Sequence, residues 1–355
     1  MMGTLINAAV AGRGADGFTY EQLHLDDPRA DEVLVRIVAC GICHTDIAIA
    51  AGCTTPCVLG HEGAGVVERV GAAVEDLAAG DHVVLSFAYC GQCAPCRAER
   101  PADCEQFMTL NFAGTRLDGS NALSGSVSGH FFGQSSFASH ALTNRRNAVH
   151  VDPDLPLASL APLGCGLQTG AGTVLQSLGI GAGQGLVIVG AGAVGLGALM
   201  AAHLVGAAPL LVVEPNSQRR AMAERLGASH VVTPEQACAG ALEATFPEGA
   251  AFAIDTAGDA ATLAAIPDWL AEDGRVGYLT GSAGGTLKAG QRGRSIIQGD
   301  AYPQRFIPRL IDALRAGEFP LDALIARYPF ADIERAIADA RAGAVIKPVL
   351  VMDTP

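Results

Sequence analysis

The sequence predicts an α/β protein in which a β-rich first domain is followed by a doubly wound parallel sheet. Up to about Leu160 the chain reads as short strands separated by turn signals, as in "DEVLVRIVACGIC" and "AGDHVVLSF". Beyond that point strand-like and helix-like segments alternate, which is the rhythm of βαβ units. A chain of 355 residues is longer than one ordinary domain, so two domains are expected.

Composition and charge exclude several classes of protein. Half of the residues are hydrophobic, so a large core can form and extensive disorder is not expected. The formal net charge of −13 argues against nucleic-acid and membrane partners, because phosphate groups would be repelled. No secretory signal opens the chain, so we expect a reducing, cytoplasmic compartment where the ten cysteines are metal ligands or reactive thiols.

The stretch from Gly185 to Val213 contains 29 residues without a formal charge. By length alone it could cross a bilayer. Glycines interrupt it after five or six residues and Pro209 interrupts it again, so we interpret it as strand, turn, helix and strand. Further strands and helices alternate up to about Ile297, and two amphipathic helices and a last strand, "IKPVLVM", complete the chain.

The segment "VIVGAGAVGLGAL" has the pattern Gly190-x-Gly192-x-x-Gly195, with Val194 inside it. It follows a predicted strand directly and opens a predicted helix. The first glycine permits a tight turn, the second lets the backbone approach a pyrophosphate, and the third lets helix and strand pack closely. The helix N-terminus then receives the negative charge of the phosphates. The pattern therefore predicts a dinucleotide-binding site.

The type of dinucleotide is indicated by Glu214, which ends the next strand about 20 residues later. A carboxylate at this place binds the 2′-hydroxyl of a ribose and repels a 2′-phosphate, so NAD is predicted over NADP. Arg219 and Arg220 weaken that preference if they face the nucleotide. Their alternative role is that of an ordinary solvated helix face.

Four cysteines lie within fifteen positions: Cys90, Cys93, Cys96 and Cys104. Their spacing lets four thiolates of one lobe, about residues 88–106, converge on a single tetrahedral zinc ion. Disulfides would be unusual in a reducing compartment. An iron–sulfur cluster is possible, but the Cys-Pro that often closes the bacterial ferredoxin pattern is missing. A closed site leaves no position for a substrate, so the lobe is predicted to be structural and the reaction to occur elsewhere.

A second set of candidate ligands is dispersed along the chain. "CGICHTD" contains Cys43, "VLGHEGAG" contains His61, and "PLGCGLQTG" contains Cys165. Two thiolates and one imidazole form an open zinc site of the kind found in alcohol dehydrogenases. Taken singly these residues are weak signals, since the last could be a small buried hydrophobe. Their order relative to the lobe and the glycine pattern is much more specific.

With these motifs in this order, the sequence resembles the zinc-dependent medium-chain alcohol dehydrogenases, from about Asp31 to Val351. The benzyl-alcohol (aryl-alcohol) branch is indicated by "NFAG", "FFGQSSFASHAL", "PLGCGLQTGAG" and "FIPRLI". The resemblance implies a GroES-like catalytic domain at 1–165, a Rossmann NAD-binding domain at 166–297, and a return to the catalytic domain at 298–355. It also implies two zinc ions per chain, one catalytic and one structural, and a homodimer or homotetramer.

The resemblance also implies roles for individual residues. The three dispersed ligands match the catalytic zinc ligands, and Glu62 matches the neighbouring acid that can approach the metal. Asp46 matches the carboxylate that orients the ligand histidine, and Thr45 matches the hydroxyl that takes the substrate proton. Ala48 replaces a histidine that continues the proton path in many relatives, so the proton must leave through the cofactor ribose and water. The remaining matches are contacts to the cofactor: His44, Thr169 and Lys347.

The activity implied by the resemblance is reversible NAD-linked oxidation of primary benzylic or allylic alcohols to aldehydes by hydride transfer. One alternative is a thiol-adduct formaldehyde dehydrogenase, which the phenylalanine-rich "HFFGQSSF" disfavours. Another is a catalytically inactive zinc-binding relative, which the complete set of ligands disfavours. The candidate residues of the substrate pocket are Ser86, Phe87, Asn111, Phe112 and Phe132.

The loop between Cys43 and His61 departs from the family pattern. It is a few residues shorter than in typical relatives, and it contains two additional cysteines, Cys53 and Cys57. In relatives this loop helps to form the wall of the substrate cleft, so the substrate preference depends on it. The two cysteines are interpreted as unligated thiols, with a metal-binding or redox role as the alternative.

Overall fold

A computed structural model of the protein describes residues 3–13, 17–281 and 285–352. Within these ranges no helix is both long enough and apolar enough to cross a membrane. The uncharged stretch from Gly185 to Val213 forms a strand, a helix and a second strand, as its glycines predict. The predicted α/β fold class is confirmed.

The chain divides into two compact units, each assembled from separate segments. Unit 1 consists of Met1–Cys165, Tyr302–Arg309 and Asp322–Pro355. Unit 2 consists of Gly166–Ala301 and Leu310–Leu321. All the candidate zinc ligands therefore lie in unit 1, and the glycine fingerprint lies in unit 2.

The segment Leu310–Leu321 differs from the division predicted from the sequence, which assigned residues 298–355 as a whole to the first domain. In the structure this segment belongs to unit 2. Its end, from Gly317 onward, lines a cavity together with Met200 and His203 of the same unit. The chain thus leaves unit 1 within a helix and returns to it a few residues after that helix has ended.

The amino-terminal part of unit 1 consists of short strands with a few short helices. Its strands are β1 (Thr4–Ala11), β2 (Phe18–Leu25), β3 (Glu32–Gly41), β4 (Cys57–Val58), β5 (Glu62–Val70), β6 (His82–Leu85), β7 (His140–Asn144) and β8 (Ala148–Val151). Its helices are α1 (His44–Gly52), α2 (Ala94–Arg97), α3 (Phe107–Phe112) and α4 (Leu157–Leu160). This is the β-rich texture that the turn signals predicted.

Unit 2 is a parallel sheet with helices between its strands. The strands are β9 (Leu186–Val189), β10 (Leu210–Val213), β11 (His230–Val232), β12 (Ala250–Asp255), β13 (Leu270–Tyr278) and β14 (Arg292–Ser295). The helices are α5 (Gly166–Gly172), α6 (Ala193–Leu204), α7 (Ser217–Arg225), α8 (Pro234–Gln236) and α9 (Ala260–Trp269). Among the described residues the order is β11-β10-β9-β12-β13-β14, with parallel pairing throughout. The order reverses beside β9, where doubly wound sheets bind dinucleotides.

The carboxyl-terminal part completes the main sheet of unit 1. Its elements are α10 (Pro303–Arg315), β15 (Ile325–Pro329), α11 (Ile333–Arg341) and β16 (Lys347–Val351). The last strand pairs with β3 at the centre of a sheet ordered β15-β16-β3-β5-β6-β8. Because β16 begins at Lys347 and pairs with β3, which leads into α1, Lys347 lies beside the first candidate ligands.

Candidate active site

Helix α1 brings three functional groups together in its first turn. The backbone of Cys43 is extended and forms the N-cap of the helix. The Cys43 N–H donates a hydrogen bond of 2.9 Å to Oδ2 of Asp46, which closes a capping box. The cap therefore determines where the Cys43 thiol, the Thr45 hydroxyl and the Asp46 carboxylate lie. The thiol and hydroxyl are 3.9 Å apart.

Asp46 connects this helix with the second candidate ligand. Its carboxylate is fully buried, and Oδ1 accepts a hydrogen bond of 3.1 Å from the Gly60 N–H. The same oxygen lies 2.9 Å from Nδ1 of His61, whose ring is also fully buried. When Nδ1 donates to the carboxylate, Nε2 of the histidine becomes the nitrogen with a free lone pair. The geometry is therefore that of an oriented metal ligand.

Four side chains converge at this point: Cys43, His61, Glu62 and Cys165. One ligand atom of each lies within 4.8 Å of the others. His61 Nε2 is buried and has no hydrogen-bond partner in the part of the chain that the structure describes. A buried nitrogen left unpaired beside two thiols is costly unless it coordinates a metal. Two sulfurs and one imidazole nitrogen are the donors that zinc prefers, so these residues fit a zinc ion.

The charges within this group favour metal binding. A hydrogen bond from Cys165 and the charge of His61 lower the pKa of the Cys43 thiol well below its usual value. The same contact with Cys43, reinforced by burial, raises the pKa of Cys165 well above its usual value. The contact between the two thiols therefore favours the thiolate at Cys43, which is the form of cysteine that would bind zinc.

Glu62 is paired with a buried lysine. Lys347 Nζ donates to both carboxylate oxygens of Glu62 at 2.9 Å and to the carbonyl of Ile42 at 3.1 Å. Burial lowers the pKa of Lys347, but the charge of Glu62 outweighs it and the net shift is upward. All three N–H groups of the ammonium are therefore occupied within unit 1 in this conformation. Its predicted contact with the cofactor stays a prediction.

The other residues of α1 differ in their exposure. Thr45 is half-buried beside Cys43, whereas His44 and Ala48 are exposed on the helix surface. The exposed His44 is free to contact a ligand, and its predicted contact with the cofactor stays a prediction. The remaining predicted cofactor contact near the metal ligands, Thr169, lies on α5 in unit 2, where its carbonyl accepts a hydrogen bond from Thr173.

Two phenylalanines contact the ring of His61, and a third packs against both of them. The ring of Phe132 stacks on it at 4.3 Å with an interplanar angle of 22°. Phe131 meets it edge-on at 5.4 Å. Phe112 contacts the ring of Phe132 at 5.1 Å and is 38% exposed, so this aromatic cluster extends from the metal ligands towards solvent. Phe112 and Phe132 are predicted pocket residues, whereas Phe131 was not predicted, although its position beside Phe132 in "HFFG" was a signal.

A local backbone conformation presents these rings. His130 and Phe132 have positive φ angles of 56° and 52°, in the left-handed region that residues other than glycine rarely adopt. Gly133 follows with a φ of 65°. Such strain persists only where the surrounding structure imposes it, and it is frequent at functional sites. Here the turn places the Phe132 ring parallel to the imidazole.

The other predicted pocket residues have structural contacts. The Asn111 amide accepts from the Ala88 N–H and donates to the carbonyls of Ala88 and Phe107. The Ser86 hydroxyl donates to the carbonyl of Gly164 at 2.8 Å. Phe87 is 1% exposed and belongs to the hydrophobic core. Asn111 and Phe87 are therefore part of the scaffold around the site.

In unit 2 the glycine fingerprint lies between β9 and α6. Gly190 has a φ of 94°, and a Cβ there would meet Thr256 Oγ1 at 2.5 Å. Gly195 packs directly against the carbonyl of Gly190, so a side chain at that position would collide with backbone. Gly192 caps the helix, and a Cβ there would have no atom within 4 Å. The open space at Gly192, next to the N–H groups of a helix end, fits a pyrophosphate.

Glu214 lies at the end of β10, beside this loop. Its side chain is 4% exposed, and its two oxygens accept hydrogen bonds from the N–H groups of Ala191 (2.7 Å) and Asn216 (2.9 Å). Arg220 donates to the carbonyl of Glu214 at 2.8 Å. The buried Nε of Arg219 has no partner among the described residues. The negative charge of the Glu214 carboxylate therefore lies next to Ala191, inside the glycine loop.

The four clustered cysteines form a second compact group, made up of Cys90, Cys93, Cys96 and Cys104. The Sγ atoms of Cys90 and Cys96 are 3.9 Å apart, and those of Cys93 and Cys104 are 4.0 Å apart. A regular tetrahedron of four Zn–S bonds has S–S edges of about 3.8 Å. The Cys93 N–H also points to Cys90 Sγ at 3.3 Å, a contact that stabilises a thiolate. This geometry fits a closed zinc site.

The two groups of candidate zinc ligands, the glycine loop and the doubly wound sheet together are typical of a zinc-binding dehydrogenase. Residues 29–153 match the family model described as an alcohol dehydrogenase GroES-like domain, and residues 193–298 match the model described as a zinc-binding dehydrogenase. A geraniol dehydrogenase from Castellaniella defragrans is 45% identical, with 97% of each chain aligned. The chain belongs to the zinc-dependent medium-chain alcohol dehydrogenase family, and the resemblance noted in its motifs is confirmed.

Two solved structures are similar over almost the whole chain. An alcohol dehydrogenase zinc-binding domain protein from Burkholderia ambifaria is 41% identical with a TM-score of 0.95. A benzyl alcohol dehydrogenase from Acinetobacter calcoaceticus is 38% identical with a TM-score of 0.94. In both comparisons 99% of this chain and 100% of the other are covered. The similarity to the aryl-alcohol branch therefore extends from short motifs to the complete fold.

Proposed function

We propose that this enzyme oxidises primary benzylic or allylic alcohols to aldehydes with NAD as the hydride acceptor. One observation carries the proposal: His61 Nε2 is buried without a partner among the described residues, and a ligand atom of His61 lies within 4.8 Å of those of Cys43 and Cys165. These three residues would hold the catalytic zinc. A bound zinc ion supplies Lewis acidity, which lowers the pKa of an alcohol and polarises a carbonyl.

The residues around the ligands orient the site and move the proton. Asp46 holds the imidazole through Nδ1, so that Nε2 is left to bind the metal. Thr45 Oγ1, beside the Cys43 thiol, takes the proton of the substrate hydroxyl. Ala48 offers no ionisable group for a further relay, so the proton continues to solvent through hydroxyl groups and water. Glu62 and Lys347 form a buried ion pair in which each side chain neutralises the charge of the other.

The preference for NAD rests on Glu214. Its carboxylate is held by the N–H of Ala191 inside the glycine loop, where it accepts a hydroxyl and repels a 2′-phosphate. The Nε of Arg219, which has no partner among the described residues, favours a 2′-phosphate. Because the Glu214 carboxylate is held directly against the glycine loop, its repulsion of a 2′-phosphate is expected to outweigh this attraction, so NAD is the expected cofactor.

The substrate class rests on the aromatic cluster of Phe112, Phe131 and Phe132. Rings stacked edge-to-face at 5.0–6.0 Å offer a surface on which a flat aromatic or allylic group packs well. The similar proteins named geraniol dehydrogenase and benzyl alcohol dehydrogenase support the same class. An apolar surface of this kind separates related alcohols by only about 1–3 kcal/mol per methylene, so several alcohols are expected as substrates.

We further propose a structural zinc in the four-cysteine lobe, a homo-oligomer and a cytoplasmic location. The lobe has the sulfur spacing of a closed zinc site. Strand β14 ends the parallel sheet and all four of its residues are exposed, which leaves an edge that a second copy can cover. Elution as a dimer or tetramer in size-exclusion chromatography is expected, and elution at 36.2 kDa would contradict the oligomer.

The test is a substrate panel with zinc-loaded protein. We expect reduction of NAD+ by benzyl alcohol, cinnamyl alcohol and geraniol, with a higher kcat/KM than for ethanol or propanol. NADP+ should be a poorer acceptor than NAD+. Formaldehyde with glutathione is included, because turnover confined to that pair would replace the proposal by a thiol-adduct dehydrogenase. Absence of turnover in a zinc-loaded, folded sample would contradict the proposal.

A further inference from the structure

The shortened loop after α1 contains a close pair of thiols that the reaction does not use. Cys53 is the C-cap of α1, and Cys57 is the first residue of β4. Their Sγ atoms are 2.9 Å apart, while Cys53 Sγ also lies 2.8 Å from the carbonyl of Thr55. Both side chains are only half-buried. An approach of about 0.9 Å, from 2.9 Å to the 2.03–2.05 Å of an S–S bond, would join them.

The surroundings hold this pair in place. Cys57 pairs with Ala11 of β1 and packs against the core of unit 1. On the other side, Gly12 has a φ of 78°, and a Cβ there would meet the Thr55 carbonyl at 2.6 Å and Cys53 Sγ at 3.1 Å. The loop therefore lies directly on the backbone after β1. Two thiols held at this distance have a high effective concentration towards each other.

A metal site is the alternative use of two neighbouring thiols. In the described ranges only two groups of three or more side chains are close enough to hold a metal ion. Neither group includes Cys53 or Cys57. Two sulfurs alone do not complete a zinc or iron–sulfur site. The pair is therefore suited to redox chemistry between its own two sulfurs.

We propose that Cys53 and Cys57 form a reversible dithiol–disulfide site that reacts with small disulfides such as oxidised glutathione. The site is distinct from both groups of zinc ligands and does not depend on the activity proposed above. It lies in the segment that joins the ligand Cys43 to the ligand His61. Oxidation would link the end of α1 to the start of β4 within this segment.

The reaction proceeds by two thiol–disulfide exchanges. Burial and the neighbouring Cys53 raise the pKa of Cys57 to about 12, so Cys57 stays protonated and Cys53 attacks first. The Cys53 thiolate breaks the S–S bond of oxidised glutathione, forms a mixed disulfide and releases one glutathione thiolate. Cys57 then loses its proton, attacks Cys53 Sγ and releases the second. The protein loses two electrons and two protons, and one oxidised glutathione becomes two reduced glutathiones.

The test is oxidation of the zinc-loaded protein in glutathione buffers of increasing potential, followed by alkylation under denaturing conditions and peptide mass analysis. We expect both alkylation sites, at Cys53 and Cys57, to be lost together, with a mass decrease of two hydrogens and recovery after dithiothreitol. Cys238 is exposed and is not part of the proposed pair, so it should form an adduct with glutathione. It serves as the internal control for a cysteine that cannot form the internal bond. Zinc content is measured on the same samples.

The variant Cys57→Ser separates the two steps. It should accumulate a stable glutathione adduct at Cys53, whereas Cys53→Ser should form an adduct at Cys57 more slowly. Full alkylation of both cysteines in samples where Cys238 already carries glutathione would overturn the proposal. Separate glutathione adducts on Cys53 and Cys57, without the internal bond, would overturn it as well. Because the first experiment uses the unaltered chain, a folding defect in a variant does not affect the result.

Discussion

At the scale of single residues, Asp46 has three structural roles at the candidate active site. One fully buried carboxylate caps α1 through Cys43, holds the loop at Gly60, and fixes the ring of His61. A ligand histidine without this partner could rotate or change its tautomer. The charge of Asp46 also acts against burial to raise the pKa of His61. The proposed metal ligands therefore depend on a residue outside the proposed ligand set.

Asp46→Asn is expected to lower zinc affinity by about 10–100-fold, because the amide keeps the shape of the side chain but loses the charge and one acceptor. Competition with a chelator, read out as zinc retained per chain, measures this directly. The control is Asp273→Asn, which changes the same chemical group at an exposed position in unit 2. Unchanged zinc affinity in the Asp46 variant would show that the imidazole is held by other contacts.

Phe112→Ala tests the aromatic cluster. Removing this ring should lower kcat/KM for benzyl and cinnamyl alcohol by roughly two- to tenfold, the equivalent of the about 0.5–1.5 kcal/mol of an aromatic pair. Small aliphatic alcohols should be affected less. Met108→Ala is the matched control, since Met108 lies on the same helix and is 65% exposed. Equal losses for aromatic and aliphatic alcohols would mean that Phe112 has only a structural role.

His130 predicts a dependence of stability on pH. Burial, assisted by the charge of Arg116, lowers the pKa of His130 to about 4, while an unfolded chain titrates near 6.5. Between pH 4 and about 6.5, His130 therefore binds a proton in the unfolded state but not in the folded state. The free energy of unfolding consequently decreases as the pH falls from about 6.5 to 4. The corresponding loss is up to about 3 kcal/mol.

His130→Asn should reduce this acid sensitivity, since asparagine tolerates the left-handed backbone at this position and does not titrate. The measurement is the thermal unfolding temperature of both proteins at pH values from 7 to 4. The difference between wild type and variant isolates His130, because protonation of the zinc ligands is common to both. Parallel pH profiles would contradict the assignment.

At the scale of elements, the sequence predicted the regular structure well because its hydrophobic periods are clear. The run "GLVIVG" became β9, "PLLVVE" became β10, and the amphipathic segment near Ile333 became α11. The left-handed turn at His130 and Phe132 was not predictable, since no local rule places a bulky residue at positive φ. The Glu62–Lys347 pair was also missed, because it depends on β16 pairing with β3 over a long sequence separation.

The four-cysteine lobe is an element whose stability is expected to depend on the proposed structural zinc. It has only short helical turns, α2 among them, and no residue of α2 is buried. Cys96→Ser should therefore remove one zinc per chain, lower the unfolding temperature and let trypsin cleave the loosened backbone after Arg97. Zinc analysis and limited proteolysis measure these effects. Cys238→Ser, an exposed cysteine outside the lobe, should leave all three unchanged, and an intact, zinc-loaded lobe in the Cys96 variant would refute the assignment.

At the scale of the whole molecule, the order of motifs along the chain was more informative than any single one. Cys43 and Cys165 are separated by most of unit 1, yet the fold brings their thiols into one buried group with His61. The sequence alone supplied the residue types, and the family resemblance supplied the grouping. Distances, burial and the unpaired Nε2 required the structure, because they arise from contacts between distant segments.

The most direct test of the central claim compares zinc content and turnover in the wild type and in His61→Gln. We predict that the variant retains the zinc of the four-cysteine lobe, holds one zinc fewer per chain than the wild type, and no longer reduces NAD+ with benzyl alcohol. Circular dichroism verifies that both proteins are folded. Unchanged zinc content in a folded variant, or alcohol oxidation that persists without that zinc, would contradict the assignment of Cys43, His61 and Cys165 as the catalytic metal site.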